Sequence, residues 1–336
     1  MSTTANPVTA LRSRLRRWRA SFKLTRRGLR TALGLLWIAD GALQLQPSMF
    51  GRGFVTDILA PAAQGQPGPI GRSVLAMAHF IEPHVALWNA LFATVQVLIG
   101  VGLLFRPTVK PALLASFAWS LLVWWFGEGF GGLLTGGASA LTGAPGSVVL
   151  YGLVGLLVWP AKGPESRSAA GAGLLGQRGA RLAWTGLWLL FCGLSLQHSQ
   201  LHLGDLLKDI AGAEPGKLAS IDRELARWVS GRDPAFALGL AALEGLIGVA
   251  VLGPWRREPF LALGMTLALA FWVLGQGFGG IWTGSGTDPN SGPLLILVAL
   301  VLWAASPRSR GRASTEGARR HERGRDRTMT KGDAGA

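Results

Sequence analysis

The chain has 336 residues, 49% of them hydrophobic and only 15% charged, with a mean hydropathy of +0.34 and a net charge of +15. A soluble protein of this length carries about 25% charged residues, so the composition excludes a water-soluble globular protein, a disordered chain and, despite 48 glycines, a collagen-like one. The single cysteine, Cys192, excludes an intramolecular disulfide framework, a cysteine-based zinc site, an iron–sulfur cluster and a CxxC redox pair.

Residues 1–30 form a basic tail that leads into the first apolar segment, Thr31–Gln46. A membrane-spanning helix needs about 20 mostly apolar residues. Seven more candidates follow at Val85–Phe105, Ala112–Phe126, Pro145–Trp159, Leu182–Gln197, Ala235–Leu252, Pro259–Leu274 and Gly292–Ala305. The predicted architecture is therefore all-α: eight transmembrane helices in two four-helix groups, 31–160 and 181–306, joined by a Gly/Ala/Ser-rich linker at 161–180. Residues 307–336 are Arg-, Gly- and Ser-rich and read as a disordered basic tail.

All 33 Lys and Arg lie outside these segments. With the N-terminus inside and the segments alternating, 26 of the 33 fall on the cytoplasmic side and seven on the outer side. Basic residues are retained in the cytoplasm, so the pattern predicts a multi-pass plasma-membrane protein with both termini cytoplasmic. It also accounts for the +15: the basic tails are suited to the lipid bilayer and its anionic headgroups rather than to nucleic acid.

The chain repeats itself. Gly127-Glu128-Gly129-Phe130-Gly131-Gly132 returns 148 residues later as Gly275-Gln276-Gly277-Phe278-Gly279-Gly280. Leu98-Ile99-Gly100-Val101 and Pro145 return at the same offset as Leu246-Ile247-Gly248-Val249 and Pro293, and Leu36-Trp37 returns as Leu187-Trp188 at an offset of 151. Four spans per half predict that both halves enter the membrane in the same orientation, as parallel repeats.

Polar residues inside apolar segments are the candidate site. An ionised carboxylate at the bilayer centre costs at least about 2.5–3.5 kcal/mol, and Asp40, Glu128 and Glu244 lie within or at the edge of spans. Asn89, Ala93, Gln96 and Gly100 recur at helical spacing, as do Ala237, Ala241, Glu244 and Gly248. Each set is one small or polar helix face, which predicts that Gln96 and Glu244 point at other helices. The halves exchange carboxyl for carboxamide: Gln96 with Glu128 in the first, Glu244 with Gln276 in the second. That exchange predicts a Glu–Gln hydrogen bond within each half. Asp40 faces Phe191 across the repeat and is asymmetric.

The Gly127-x-Gly129-x-x-Gly132 run matches a dinucleotide fingerprint only formally, because a Trp-rich membrane segment precedes it instead of a strand. The glycines Gly127, Gly129, Gly131, Gly275, Gly277 and Gly279 instead predict helix ends and re-entrant turns that shape an outer vestibule. His198 and His202, spaced i, i+4, are weak metal candidates, and no metal or other cofactor is predicted.

Leu36-Trp37, the stretch Trp124 to Gly129 and the stretch Thr287 to Pro293 resemble a family of uncharacterised actinobacterial polytopic membrane proteins over about residues 28–306. Each half is also similar in four-helix layout to DoxX-like membrane proteins, some of which are subunits of quinone-linked oxidoreductases. That resemblance implies a bound quinone or an oxidoreductase partner and carries over no catalytic residue. The residues themselves point first to binding or transport of a small solute or ion through a polar site between the repeats. A structural membrane scaffold is the remaining alternative, and protein partners are not legible.

Overall fold

The computed structural model describes residues 24–160, 169, 173–197, 199, 202–213, 216–253 and 257–305. The predicted N-tail up to 23, the C-tail and most of the 161–180 linker lie outside the described residues. The protein is all-helical, with no β-strand among the described residues.

Eleven α-helices are described. The first half contains α1 (Arg26–Leu43), α2 (Gly68–Ile81), α3 (Val85–Leu104), α4 (Val109–Phe126) and α5 (Ser147–Val158). The second contains α6 (Gly176–Ser195), α7 (Leu203–Ala213), α8 (Gly216–Val229), α9 (Asp233–Ala250), α10 (Glu258–Leu274) and α11 (Ser291–Ala304). Each of the eight predicted segments coincides with a helix. The predicted boundaries miss the first turns of α1 and α6; in α1 capping outweighs the local charge, because the Thr25 hydroxyl accepts from the Gly28 amide at 3.0 Å, whereas α6 starts after Leu175 without a side-chain cap. The sequence reading missed α2, α7 and α8, which lie in the segments assigned to outer loops.

Three helical stretches are long and apolar enough to cross a membrane: Gly68–Leu104, Arg106–Phe126 and Asp233–Ala250. Others are short. The 12 residues of α5 rise about 18 Å at 1.5 Å per residue, against a hydrocarbon core of about 30 Å.

Packing follows the small-residue faces. Asn89, Ala93, Gln96 and Gly100 are buried, while Leu87, Leu91 and Leu98 on the other side of α3 are exposed. On α9, Ala237, Ala241, Glu244 and Gly248 are buried and Leu238, Leu246 and Val249 are exposed. An apolar exterior around a small or polar interior suits lipid, where close backbone approach replaces hydrophobic drive. On α1 and α3 that approach is extreme: a Cβ on Gly100 would lie 2.5 Å from the Gly34 carbonyl oxygen, and one on Gly41 2.8 Å from that of Ala93. In the α6–α9 pair Thr185 stands where α1 has Gly34, and its hydroxyl donates to the Gly248 carbonyl at 2.7 Å. The halves meet through α5 and α11, and one apolar core runs from Trp37 and Tyr151 to Trp188, Phe191 and Val298.

Replacing Gly100 by Val forces α1 and α3 apart and is expected to destabilise by about 1–3 kcal/mol, as overpacking does. Gly239→Ala, where an added Cβ meets nothing within 4 Å, is expected to be neutral or slightly stabilising. Thermal unfolding of the two purified variants, followed by tryptophan fluorescence, checks the contrast.

Candidate functional site

Each glycine run turns the chain with the same geometry. After α4, Glu128 stays helical while Gly129, Phe130 and Gly131 take left-handed backbone, with Phe130 at φ 57° and ψ 30°. Phenylalanine rarely adopts this conformation, and here its ring packs edge-on against Trp124 at 4.8 Å. The Trp124 indole donates to the Pro145 carbonyl at 2.7 Å. The turn brings Glu128 over the start of α5, where its Oε1 accepts from the Ser147 hydroxyl at 2.8 Å and the Val148 amide at 3.3 Å. A carboxylate at a helix N-terminus meets unpaired N–H groups and the positive end of the helix dipole. Gly146 is required beside it, because its φ is 110° and a Cβ there would lie 2.0 Å from Glu128 Oε2.

After α10, Phe278 has φ 57° and ψ 28°. Trp272 packs on Phe278 at 5.0 Å and donates to the Pro289 carbonyl at 2.6 Å. Gln276 bonds the Ser291 hydroxyl at 2.8 Å and accepts from the Gly292 amide at 3.3 Å. The equivalence of Pro145 with Pro293 needs correction. Pro145 and Pro289 hold the matching carbonyls, and Ser147 and Ser291 the matching helix starts, so the second turn is four residues shorter. The tryptophan bond and the helix start set this register, and the loop between them is free to vary in length.

The two turns cross into opposite halves. The first places Leu141 against Gly275, and the Ala140 carbonyl accepts from Gln276 Nε2 at 3.3 Å. The second is held by Gln46, whose amide donates to the Gly286 carbonyl at 3.0 Å, and by Ser48, which donates to Gly284. Its next residues, Thr287 and Asp288, reach the first half. Asp288 accepts from the Asn290 amide at 2.7 Å and the Thr287 hydroxyl at 3.1 Å. The Ser147 hydroxyl that serves Glu128 also interacts with Asp288.

Two cavities result. A vestibule of about 500 Å³ is lined by Gln64, Gln66, Gly131, Gly132, Thr135 and Thr142. An inner cavity of about 360 Å³ is lined by Trp37, Trp88, Phe92, Trp119, Gln44 and Gln96, with Asp40 at its wall. Glu128 and Asp288 line both. Tyr151 donates to Asp40 at 2.8 Å, and its ring packs on Trp37 at 4.4 Å. Trp37 in turn donates to Ser116 at 3.0 Å. Asp40, Glu128 and Asp288 are close enough to repel one another when charged. Four buried polar atoms of inner-cavity residues have no protein partner: Gln44 Oε1, Gln96 Oε1, Glu128 Oε2 and the Trp119 indole nitrogen. Gln44 and Gln96 are each only 6% exposed.

The structure thus brings together Asp40, Gln96 and Glu128, and separates Glu244 and Gln276 from them. The expected Glu–Gln bonds are replaced by others. Glu128 caps α5, Glu244 accepts from the Ser195 hydroxyl at 2.7 Å, and Gln276 caps α11. The physical reason is depth: the glycine turns fold Glu128 and Gln276 back over the next helix start instead of toward the middle of α3 or α9. Of the predicted glycines, Gly131 lines the vestibule and Gly127 the inner cavity. A Cβ on Gly129 would lie 2.2 Å from the Ala62 carbonyl oxygen. Gly275, Gly277 and Gly279 line a separate pocket around the second turn. His198 lies outside the described residues, and among the described residues no three His, Cys, Asp or Glu are grouped to hold a metal.

The sequence reading did not include Asp288, Tyr151 and Gln44 in the site. A signal existed for two of them: Tyr151 is the chain's one tyrosine, and Asp288 the one charge in either turn after its glycine run. Opposite Asp40 and Tyr151 the second half has Phe191 and Leu295, both buried and apolar. Comparison with protein-family models, curated proteins and solved structures finds no match to this chain.

Tyr151→Phe removes the donor to a buried carboxyl, and such a loss costs about 1–3 kcal/mol. Pairing it with Asp40→Leu removes both polar partners and is expected to recover part of that loss. A double-mutant cycle from thermal or denaturant unfolding reads the recovery directly.

Proposed function

We propose that this chain is an eight-span plasma-membrane protein of two like-oriented four-helix repeats, both ends cytoplasmic, that binds and carries a small solute at a polar site where the repeats meet. The observation that carries this reading is the shared wall. Glu128 from the first half and Asp288 from the second line both the vestibule and the inner cavity. A solute passing between the two compartments meets both carboxyls.

Three further features support it. The short α5 and α11 each follow a glycine turn at matching places, the arrangement by which broken spans frame binding sites in transporters. The turns lie at the end of α4 and α10 away from Arg106, Lys110 and Arg257, which the charge bias puts in the cytoplasm. Backbone of this irregular kind is tolerated at membrane depth when it lines a cavity. The quinone-binding alternative draws support from the aromatic walls of the inner cavity. It is the weaker reading, because a quinone offers carbonyl acceptors to a site already rich in acceptors.

Purification from the native membrane with mass spectrometry of bound small molecules tests the proposal. A small molecule is expected with the wild type and absent from the Glu128→Gln/Asp288→Asn double variant. An equal yield from both overturns it, as does none from either together with no binding of an added small solute. For topology, a membrane-impermeant maleimide applied to cells is expected to label Gly137→Cys, an exposed position of the first turn, but not Ala161→Cys, each in a Cys192→Ser background.

A further inference from the structure

The chemistry of the inner cavity narrows the class of solute, an inference that rests on the binding reading above. Three carboxyls surround the space, Asp40, Glu128 and Asp288, and no Lys, Arg or His lines it among the described residues. Charged together, they repel one another, so a cation between them removes repulsion and adds attraction. The unpartnered atoms agree in kind. Among the fully buried atoms of the wall, Gln44 Oε1, Gln96 Oε1 and Glu128 Oε2 are acceptors without donors, against one donor without an acceptor, the Trp119 N–H. A buried acceptor left unmade is costly, and an N–H-bearing cation supplies what is missing.

The rest of the wall is aromatic. Phe80, Trp88, Phe92 and Trp119 run in ring contact, with centroids 5.0, 6.2 and 5.4 Å apart in sequence. All four line the cavity, and Phe80 at the outer end is 60% exposed. Leu122 on α4 also lines the space and is 50% exposed. The mouth therefore opens sideways between α2 and α4 onto the surface that faces lipid. Ring faces attract ammonium groups, most strongly where water is excluded. A metal ion needs a shell of oxygen or nitrogen ligands, and no metal-holding group is present among the described residues. The volume of about 360 Å³ lies within the range of small-molecule pockets.

We infer that the inner cavity takes a protonated organic amine with an apolar body, which enters from the outer leaflet along the Phe80–Trp119 aromatic track and places its ammonium among Asp40, Glu128 and Asp288. An ethanolamine phospholipid carries the same ammonium, but next to a phosphate that these carboxyls repel.

The test uses purified full-length protein in lipid nanodiscs and isothermal titration with three probes: 4-phenylbutylamine, its neutral isostere 4-phenylbutan-1-ol, and a short-chain phosphatidylethanolamine. The amine is expected to bind at least about tenfold more tightly than the alcohol, a difference of one decade in Kd, and the phospholipid not to compete. Asp288→Asn and Glu128→Gln are each expected to weaken the amine about tenfold, and Glu244→Gln, outside the cavity, to leave it unchanged. Equal binding of amine and alcohol by the wild type overturns the inference and needs no variant, so a variant that fails to fold does not protect it. Competition by the phospholipid reassigns the site to a lipid headgroup and also overturns it. A neutral or acidic molecule found in the wild type by mass spectrometry sinks the amine while leaving the binding reading intact; no bound molecule and no amine binding sinks both.

Discussion

Backbone that leaves the helix inside an apolar environment must find partners within the protein, and in this chain that constraint is met by one device used twice. A tryptophan in the last turn before the glycine run reaches across to a proline carbonyl beyond it, at 2.7 Å for Trp124 and 2.6 Å for Trp272. The residue after the first glycine then caps the next helix. Glu128 does so with a carboxyl oxygen and Gln276 with a carboxamide. Left-handed phenylalanines at 130 and 278 are the cost of the reversal, of order 1–3 kcal/mol each. They persist because the Trp–Phe ring contact and the carbonyl bond over-determine the turn.

The same device explains how the halves are joined. Each turn projects beyond the helices of its own half, so its middle lands on the other half. Ala140, Leu141 and Gly143 sit against Gly275, Gln276 and Asn290, while Gly284, Gly286 and Asp288 sit against Gln46, Ser48 and the Asp40 cavity. The two exchanges differ in chemistry. The first delivers the Ala140 carbonyl to Gln276 and Leu141 to Gly275. The second delivers a carboxyl to a place that already holds two. The first half therefore holds a cavity walled by three carboxyls, one of which, Asp288, comes from the second half.

Much of this was legible in the residues. The eight apolar segments, the buried face of Asn89 to Gly100 and its counterpart from Ala237 to Gly248 follow from composition and helical spacing, which depend on near neighbours in the chain. The helices α2, α7 and α8 did not follow, because their segments, with their charges and prolines, read as loops, and α7 and α8 are stabilised chiefly by packing against each other. The site was half legible. Asp40, Gln96 and Glu128 stand out as polar groups in apolar helices, and they do share a cavity. The partnership of Glu128 with Ser147, and of Asp40 with Tyr151 across 111 positions, depends on how a turn folds back. Residue identity at matched repeat positions carries no information about that. The exchange of Glu for Gln between halves suggested a bond within each half; its physical basis is instead that either side chain can cap a helix.

The second half also shows what the first half forgoes. Where Asp40 and Tyr151 stand, Phe191 and Leu295 fill the same places with apolar bulk, and replacing a buried polar pair by well-packed apolar groups is commonly neutral or stabilising. Stability alone therefore gives no reason to keep Asp40, Glu128 and Asp288 around a space of about 360 Å³ with acceptors left unpaired. Packing roles account fully for Glu128 Oε1, which caps α5, but not for Oε2, which faces no protein donor. The same holds for Gln44 and Gln96, whose Oε1 atoms are buried without a protein donor. What distinguishes the two halves is thus where their unpartnered polar atoms lie: those of Gln44, Gln96, Glu128 and Trp119 gather around one cavity, whereas Trp188 Nε1 and Glu244 Oε1 of the second half lie outside it.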